Sequence, residues 1–437
     1  MTTQLLLGLS LLVFVHEFGH FITAKMFGMR VNKFYIFFDA WGKKLWHKKI
    51  GETEYGIGWL PLGGYVQIAG MIDETQDAKS MSKEPEEWEF RSKPAWQRFI
   101  VMIGGIVMNV IIGVLIFNMH LNVFDDTYVT VDEMNKNGGI YTLPLGEDMG
   151  LQTGDKIVAV DGNSIERVKD IRMIPILHNE ITIERNGRKQ TVIIPDSVQQ
   201  RAAKEDFVMP RYQQVSIESF PPSGKKSSAR DAGVKVGDVL TAIDGRSFDN
   251  FFTFKELLKS KKDTTVRLSL LREGQKMNLE VQTDTAGLIG FFPSFDFKAK
   301  YASVPYSWGS GFYYGSVDGW NLIRLQIAGF KMMFQGKVKA RESVASPIKI
   351  AQLYGGTWEW NRFWKWTGIL SFVLAFMNAL PIPALDGGHM VFLTIEMITG
   401  RKLSDDFLEK AQIFGFMLLM GIMVFAFGND ILQYFGI

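Results

Sequence analysis

At 437 residues the chain is long enough for several domains, and its formal net charge of +2, with no basic stripe, gives no case for nucleic acid as a partner. It contains no cysteine, which excludes a disulfide framework and a thiolate metal site; any bound metal has to rest on imidazole and carboxylate. A mean hydropathy of +0.04 averages two unlike materials, long apolar stretches and a middle of ordinary soluble composition.

A helix that crosses a bilayer needs about 20 mostly apolar residues. The first candidate occupies residues 1–28, where the apolar run from Gln4 to Phe27 is interrupted only by His16, Glu17, His20 and Lys25. It has no basic lead-in and no small-x-small site after the run, so it reads as a span and not as a cleaved signal. Residues 29–96 form a loop that carries Arg30, Lys33, Lys43, Lys44, Lys48, Lys49, Arg91 and Lys93. Within it GIGWLPLGGY (Gly56–Tyr65) reads as a turn-rich hairpin, lying either on the membrane face or re-entering the membrane. A second span is expected over 97–120, at the start of the uncharged stretch Phe99–Phe124.

The middle contains a repeat: GDKIVAVDG (Gly154–Gly162) and GDVLTAIDG (Gly237–Gly245) each join a Gly-Asp turn, a short strand and a Gly turn. Each is followed by a hairpin pattern, ITIERNGRKQTVIIP and VRLSLLREGQKMNLEVQT, which predicts two β-rich modules over 121–203 and 204–286. Both resemble PDZ domains, which capture peptide ends by adding a strand to a sheet edge; the alternative is a pair of spacers without a ligand. In 287–362, the apolar and basic mixture WNLIRLQIAGFKMMF predicts a helix lying on the membrane surface, or a linker helix. A third span is expected in 363–390, where Trp366–Leu385 ends in PIPALDGG, and a fourth, Ala411–Gly428, in 391–437. The expected fold is a polytopic α-helical membrane protein of about four spans with two inserted β-rich PDZ-like domains. Lys and Arg concentrate in the first loop and before the last span, which puts both on the cytoplasmic side and both termini and the modules outside.

HEFGH (His16–His20) is the most informative pentapeptide. Histidines at i and i+4 share a helix face, the spacing two imidazoles need to hold one Zn²⁺, and Glu17 can take a proton from water activated there. An ionisable group in mid-span costs roughly 2.5–3.5 kcal/mol, so this cluster needs a compensating partner, and a metal supplies one; a polar helix–helix contact is the alternative. A third ligand is sought among His47, His120, His178, His389, Glu396 and Asp386. Two crossings separate the first and third spans, so they run in the same direction and bring His16, His20 and Asp386 to similar depth. Pro381, Pro383, Gly387 and Gly388 break the helix around Asp386, and irregular backbone at that depth belongs where it lines a wet cavity. Asp386 is preferred, and His389 reads as structural.

HEFGHFITAKMFG, GWLPLGGYVQIAGM, the paired modules and NALPIPALDGGHM together resemble the site-2 protease family of intramembrane metalloproteases over nearly the whole chain. The resemblance implies zinc held by His16, His20 and Asp386, Glu17 as general base, and Asn378 and Asn109 as holders of substrate backbone. It favours the re-entrant reading of the hairpin, with Gly58 and Gly64 where an unwound substrate pairs with it. It implies single-span substrates already trimmed by another protease, such as anti-sigma factors and remnant signal peptides. It also implies a bacterial inner membrane, with the PDZ-like domains and both termini on the periplasmic side.

Overall fold

The computed structural model describes residues 1–71, 85–124, 127–203, 205–211, 214–222, 226–296, 302–336 and 347–434. The chain divides into two units, Met1–Asp126 with Tyr306–Ile437, and Thr127–Pro305. The first unit is built from α1 (Thr2–Met26), α2 (Ala95–Val123), α3 (Trp308–Phe334), α4 (Pro347–Leu353), α5 (Trp360–Asn378), α6 (Asp386–Thr399) and α7 (Asp405–Tyr434). Among the described residues, three helical stretches are long and apolar enough to cross a membrane: Thr2–Met26, Ala95–Val123 and Asp406–Gly428. The stretch expected to be a further span is α5. It carries Arg362 and Lys365 in its opening turns and stops at Asn378, ahead of Pro381 and Pro383, which cannot donate to a continuing helix.

Glycines let these helices pack closely. A Cβ added to Gly19 would lie 2.3 Å from the carbonyl oxygen of Gly104, and one on Gly104 would lie 2.7 Å from that of Gly19, so α1 and α2 meet backbone to backbone. On α3, Gly311 faces Asn118 and Asn122, Gly315 faces Phe117, and Gly319 faces Phe372. The helix expected on the membrane surface therefore packs along α2 and α5 through a stripe of small residues. Residues 297–301 and 337–346 of that region lie outside the described residues.

The first loop forms a four-stranded sheet of β1 (Val31–Phe38), β2 (Lys44–Ile50), β3 (Thr53–Gly58) and β4 (Leu60–Ile68), in the order β2-β3-β1-β4. This corrects the hairpin reading of Gly56–Tyr65, because β3 and β4 are not neighbours. β1 lies between them, parallel to β3 and antiparallel to β4. Burial explains the order: Val31, Phe34, Val66 and Ile68 pack with Ala24 of α1 and Val101 and Met102 of α2. Gly56 and Gly58 leave room for β1, since a Cβ would meet the Tyr35 ring at 2.4 Å in one case and the Phe38 carbonyl oxygen at 2.2 Å in the other.

The second unit holds two halves, each with its own apolar core. Their hairpins are Glu180–Arg185 with Arg188–Ile193 and Thr265–Arg272 with Gln275–Gln282. Asn186-Gly187 and Glu273-Gly274 turn them with positive φ at both positions, the geometry that matches strand twist. The halves reach beyond the expected boundaries. Val208–Pro210 pairs back onto Ile140–Thr142, and Phe292–Asp296 joins the second sheet beside Gln214–Ser219.

The repeated Gly-Asp turn carries the same clasp in each half. Arg185 grips Asp155 with Nε and Nη2, both at 2.7 Å, and also donates to the Gly150 carbonyl. Arg272 grips Asp238 at 2.8 and 2.7 Å and donates to the Gly233 carbonyl. Burial alone would raise the Asp238 carboxyl, but the Arg272 fork and the Lys235 N–H outweigh it and hold the group below the ordinary aspartate range. A depressed folded value makes the clasp's contribution complete above the unfolded value of about 3.9 and removes it as pH falls through the folded one. Asp238→Asn should lower the melting temperature of this unit in the full chain by roughly 5–10 °C at neutral pH. Calorimetry should show the gap closing in acid, and equal melting at pH 7 would refute the clasp.

Candidate metal centre

His16 and His20 project from one face of α1 with ring centroids 4.8 Å apart and their Nε2 atoms 3.2 Å apart. The Nδ1 of His20 lies 2.8 Å from the Val101 carbonyl oxygen on α2. A carbonyl only accepts, so Nδ1 carries the proton and the neutral ring offers its lone pair at Nε2. Room for both rings comes from Gly105. A Cβ there would lie 2.5 Å from His20 Nε2 and 2.6 Å from His16 Cε1.

Asp386 is the first residue of α6, where a carboxylate is favoured by the exposed N–H groups of the helix start. It is reached through the irregular backbone after α5, and Ala384 takes a positive φ of 87°. Gly387 and Gly388 fit under that backbone: a Cβ would sit 2.2 Å from the Leu380 carbonyl oxygen at the first and 2.5 Å from that of Ile382 at the second. Asp386 Oδ2 thereby comes to 3.1 Å from His16 Nε2 and 3.4 Å from His20 Nε2.

These three side chains are a group of potential metal ligands within one 4.8 Å cluster. Asp386 Oδ2 is buried, and despite its two close neighbours no hydrogen bond of acceptable alignment reaches it. Donor atoms about 2 Å from a tetrahedral ion stand roughly 3.3–3.5 Å from one another. The three observed separations, 3.1, 3.2 and 3.4 Å, fit a zinc ion at their centre. Two imidazoles and one carboxylate, with a fourth direction left open, are a donor set of the catalytic kind.

A cavity of about 160 Å³ opens beside the cluster and is lined by His16, Glu17, His20, Gly64, Tyr65, Asp386 and His389, among others. Glu17 is half-buried, next to β4: a Cβ on Gly64 would lie 3.5 Å from its Cγ. Gly64 thus sits on the edge strand that faces the cluster. Gly58 does not; it belongs to the interior strand β3 and is pressed against β1. Asn378 closes α5 with its Nδ2 3.3 Å from His16 Nε2. Asn109 is 1 % exposed and has its Nδ2 3.4 Å from His16 Nδ1.

The remaining candidates are engaged elsewhere. Glu396 pairs with Arg98, His120 with Asn361, and His178 with Asp161, while His47 lies on the exposed strand β2. His389 lines the cavity but stands outside the three-ligand cluster. Sequence reasoning missed Val101 and Gly105. The Gly104-Gly105 pair in an apolar helix was the available sign of a close neighbour; a backbone carbonyl leaves no mark in a sequence.

The profile of peptidase family M50 matches residues 4–422. The regulator of sigma-E protease of Escherichia coli is 28 % identical over 97 % of both chains. A Neisseria meningitidis protein carrying the provisional name zinc metalloprotease is 26 % identical over 98 % of both, and the regulator of sigma E protease of Salmonella typhi is 26 % identical over 97 % of both. With ligand-type residues gathered from helices at opposite ends of the sequence, and a family match running from one end to the other, the chain belongs to peptidase family M50 and is a metalloprotease.

Proposed function

We propose that this chain is an intramembrane zinc endopeptidase of the site-2 type, cleaving single-span membrane substrates within their spanning segments. The observation that carries the reading is the spacing of His16 Nε2, His20 Nε2 and Asp386 Oδ2, with both histidines on α1, a helix long and apolar enough to cross a membrane. In this reading α5 is a fourth span, packed on α2 through Ser371 and Phe372. The two halves of the second unit are PDZ-like domains on the periplasmic side, with both termini, and the sheet of 29–96 re-enters from the cytoplasmic side.

Zinc at the three ligands supplies a Lewis acid that polarises water and the scissile carbonyl. Glu17 takes the proton that water loses on attack and delivers it to the leaving amine nitrogen. Asn378, beside His16, donates its amide N–H to substrate backbone. A spanning helix hides its amides in its own hydrogen bonds, so the scissile stretch has to unwind. β4 is an edge of its sheet, and its outer side can pair with that stretch by strand addition. The name of the E. coli relative supports anti-sigma-factor-like substrates, trimmed beforehand so that they pass the PDZ-like pair, with remnant signal peptides as a second class.

Three experiments test these assignments. Purified Glu17→Gln should retain zinc and lose about 10²–10⁴-fold in cleavage of a single-span substrate, while His16→Ala and Asp386→Ala should lose the metal; undiminished cleavage by Glu17→Gln would end the general-base role of Glu17. A Cβ on Gly64 meets the Tyr35 carbonyl oxygen at 2.7 Å and Val13 at 2.9 Å, so Gly64→Val should slow cleavage with zinc retained. Gly58→Val, which strikes backbone inside the sheet, should lower stability and turnover together. Because the chain has no cysteine, each introduced one is a unique label. A membrane-impermeant maleimide applied to intact spheroplasts should mark Lys276→Cys and not Lys48→Cys; the opposite pattern would invert the orientation.

A further inference from the structure

A metal-binding imidazole must offer one nitrogen as a lone pair, and the group that accepts the proton on the other nitrogen decides which one it is. For His20 that acceptor is the Val101 carbonyl. For His16, whose Nε2 faces Asp386, an acceptor is needed at Nδ1. The side chain there is Asn109, one helical turn beyond Gly105 on α2, with its amide nitrogen 3.4 Å from Nδ1 and its Oδ1 buried without any hydrogen bond. The two ends of a primary amide have nearly the same shape, and the end that faces a ring is decided by hydrogen bonding. Turning the amide over gives Oδ1 a donor and gives His16 Nδ1 its acceptor in one step.

We infer that Asn109 is a positioning residue for the metal centre, accepting the Nδ1 proton of His16 and fixing the tautomer that turns Nε2 on the metal. This assignment rests on the zinc reading above and replaces the substrate-holding role that the family resemblance implied. Asn109 is 1 % exposed and is not among the residues lining the cavity. Its main chain is anchored as well: Ser371 Oγ on α5 donates to the Asn109 carbonyl at 2.6 Å, in a buried contact. Asn378 cannot serve instead, because its nitrogen lies 3.5 Å from Nδ1 and 3.3 Å from Nε2, astride the ring edge and not along either N–H direction.

The test is zinc affinity of the full-length protein in detergent, measured by competition with a chelating dye. Asn109→Leu should bind zinc about 10–100-fold more weakly than wild type, and Asn109→Asp, which keeps an acceptor, should stay close to it. Wild-type affinity in Asn109→Leu overturns the positioning role and leaves the zinc reading intact; absence of zinc binding by wild type ends both. If Asn109→Leu does not fold, nitrogen-15 spectra of histidine-labelled, zinc-loaded wild type decide. A protonated, slowly exchanging Nδ1 on His16 with Nε2 shifted by the metal supports the role, and a bare or metal-bound Nδ1 overturns it.

Discussion

Two imidazoles one helical turn apart can converge on a single ion only if the next helix leaves space over both rings and supplies something for their outer nitrogens. The contact between α1 and α2 meets both requirements. Gly19 and Gly104 bring the backbones together, Gly105 leaves the hollow, and Val101 and Asn109, on the same helix to either side, reach the Nδ1 atoms. A side chain at any of these glycines would push α2 away and take the ring acceptors with it. The remaining ligand is fixed by a different device. Prolines stop α5, the chain folds over Gly387 and Gly388, and a new helix begins with its first residue, Asp386, directed at the rings.

The environment explains why such close fitting is required. Unpaired imidazole and carboxylate groups are costly to bury, so small errors of placement are penalised. The three clustered side chains sit on a helix and at a helix start, where packing determines direction, while β4 beside them is a sheet edge. Stability in the other unit is arranged differently. Each half carries an aspartate–arginine clasp at the Gly-Asp turn before its Lys156–Val160 or Val239–Ile243 strand.

Much of this was legible in the sequence because helical spacing is local information. His16, Glu17 and His20 need only a period of 3.6 residues to be placed together, and Asp386 follows from counting crossings and noting where prolines and glycines break an apolar run. The repeated Gly-Asp turns likewise announced two similar halves. The order of the first sheet was not legible, because Gly56–Tyr65 looks locally like a hairpin and only the burial of Phe34 and Tyr35 puts β1 in its middle. Nor was the place of α3, although Gly311, Gly315 and Gly319 at four-residue spacing spell out a helix-packing face. Asn109 was named through the family resemblance but not in the role proposed above: its contact is with a ring nitrogen on another helix, and residue type alone does not tell substrate contact from ligand support.

The separation of Asp386 from the two histidines has a consequence for biogenesis. A ribosome delivers α1 first, and the helix bearing the last ligand emerges only near the far end of the chain. Throughout that interval the nascent protein holds His16 and His20 without their third neighbour. The three clustered side chains can therefore meet only after most of the chain has been made.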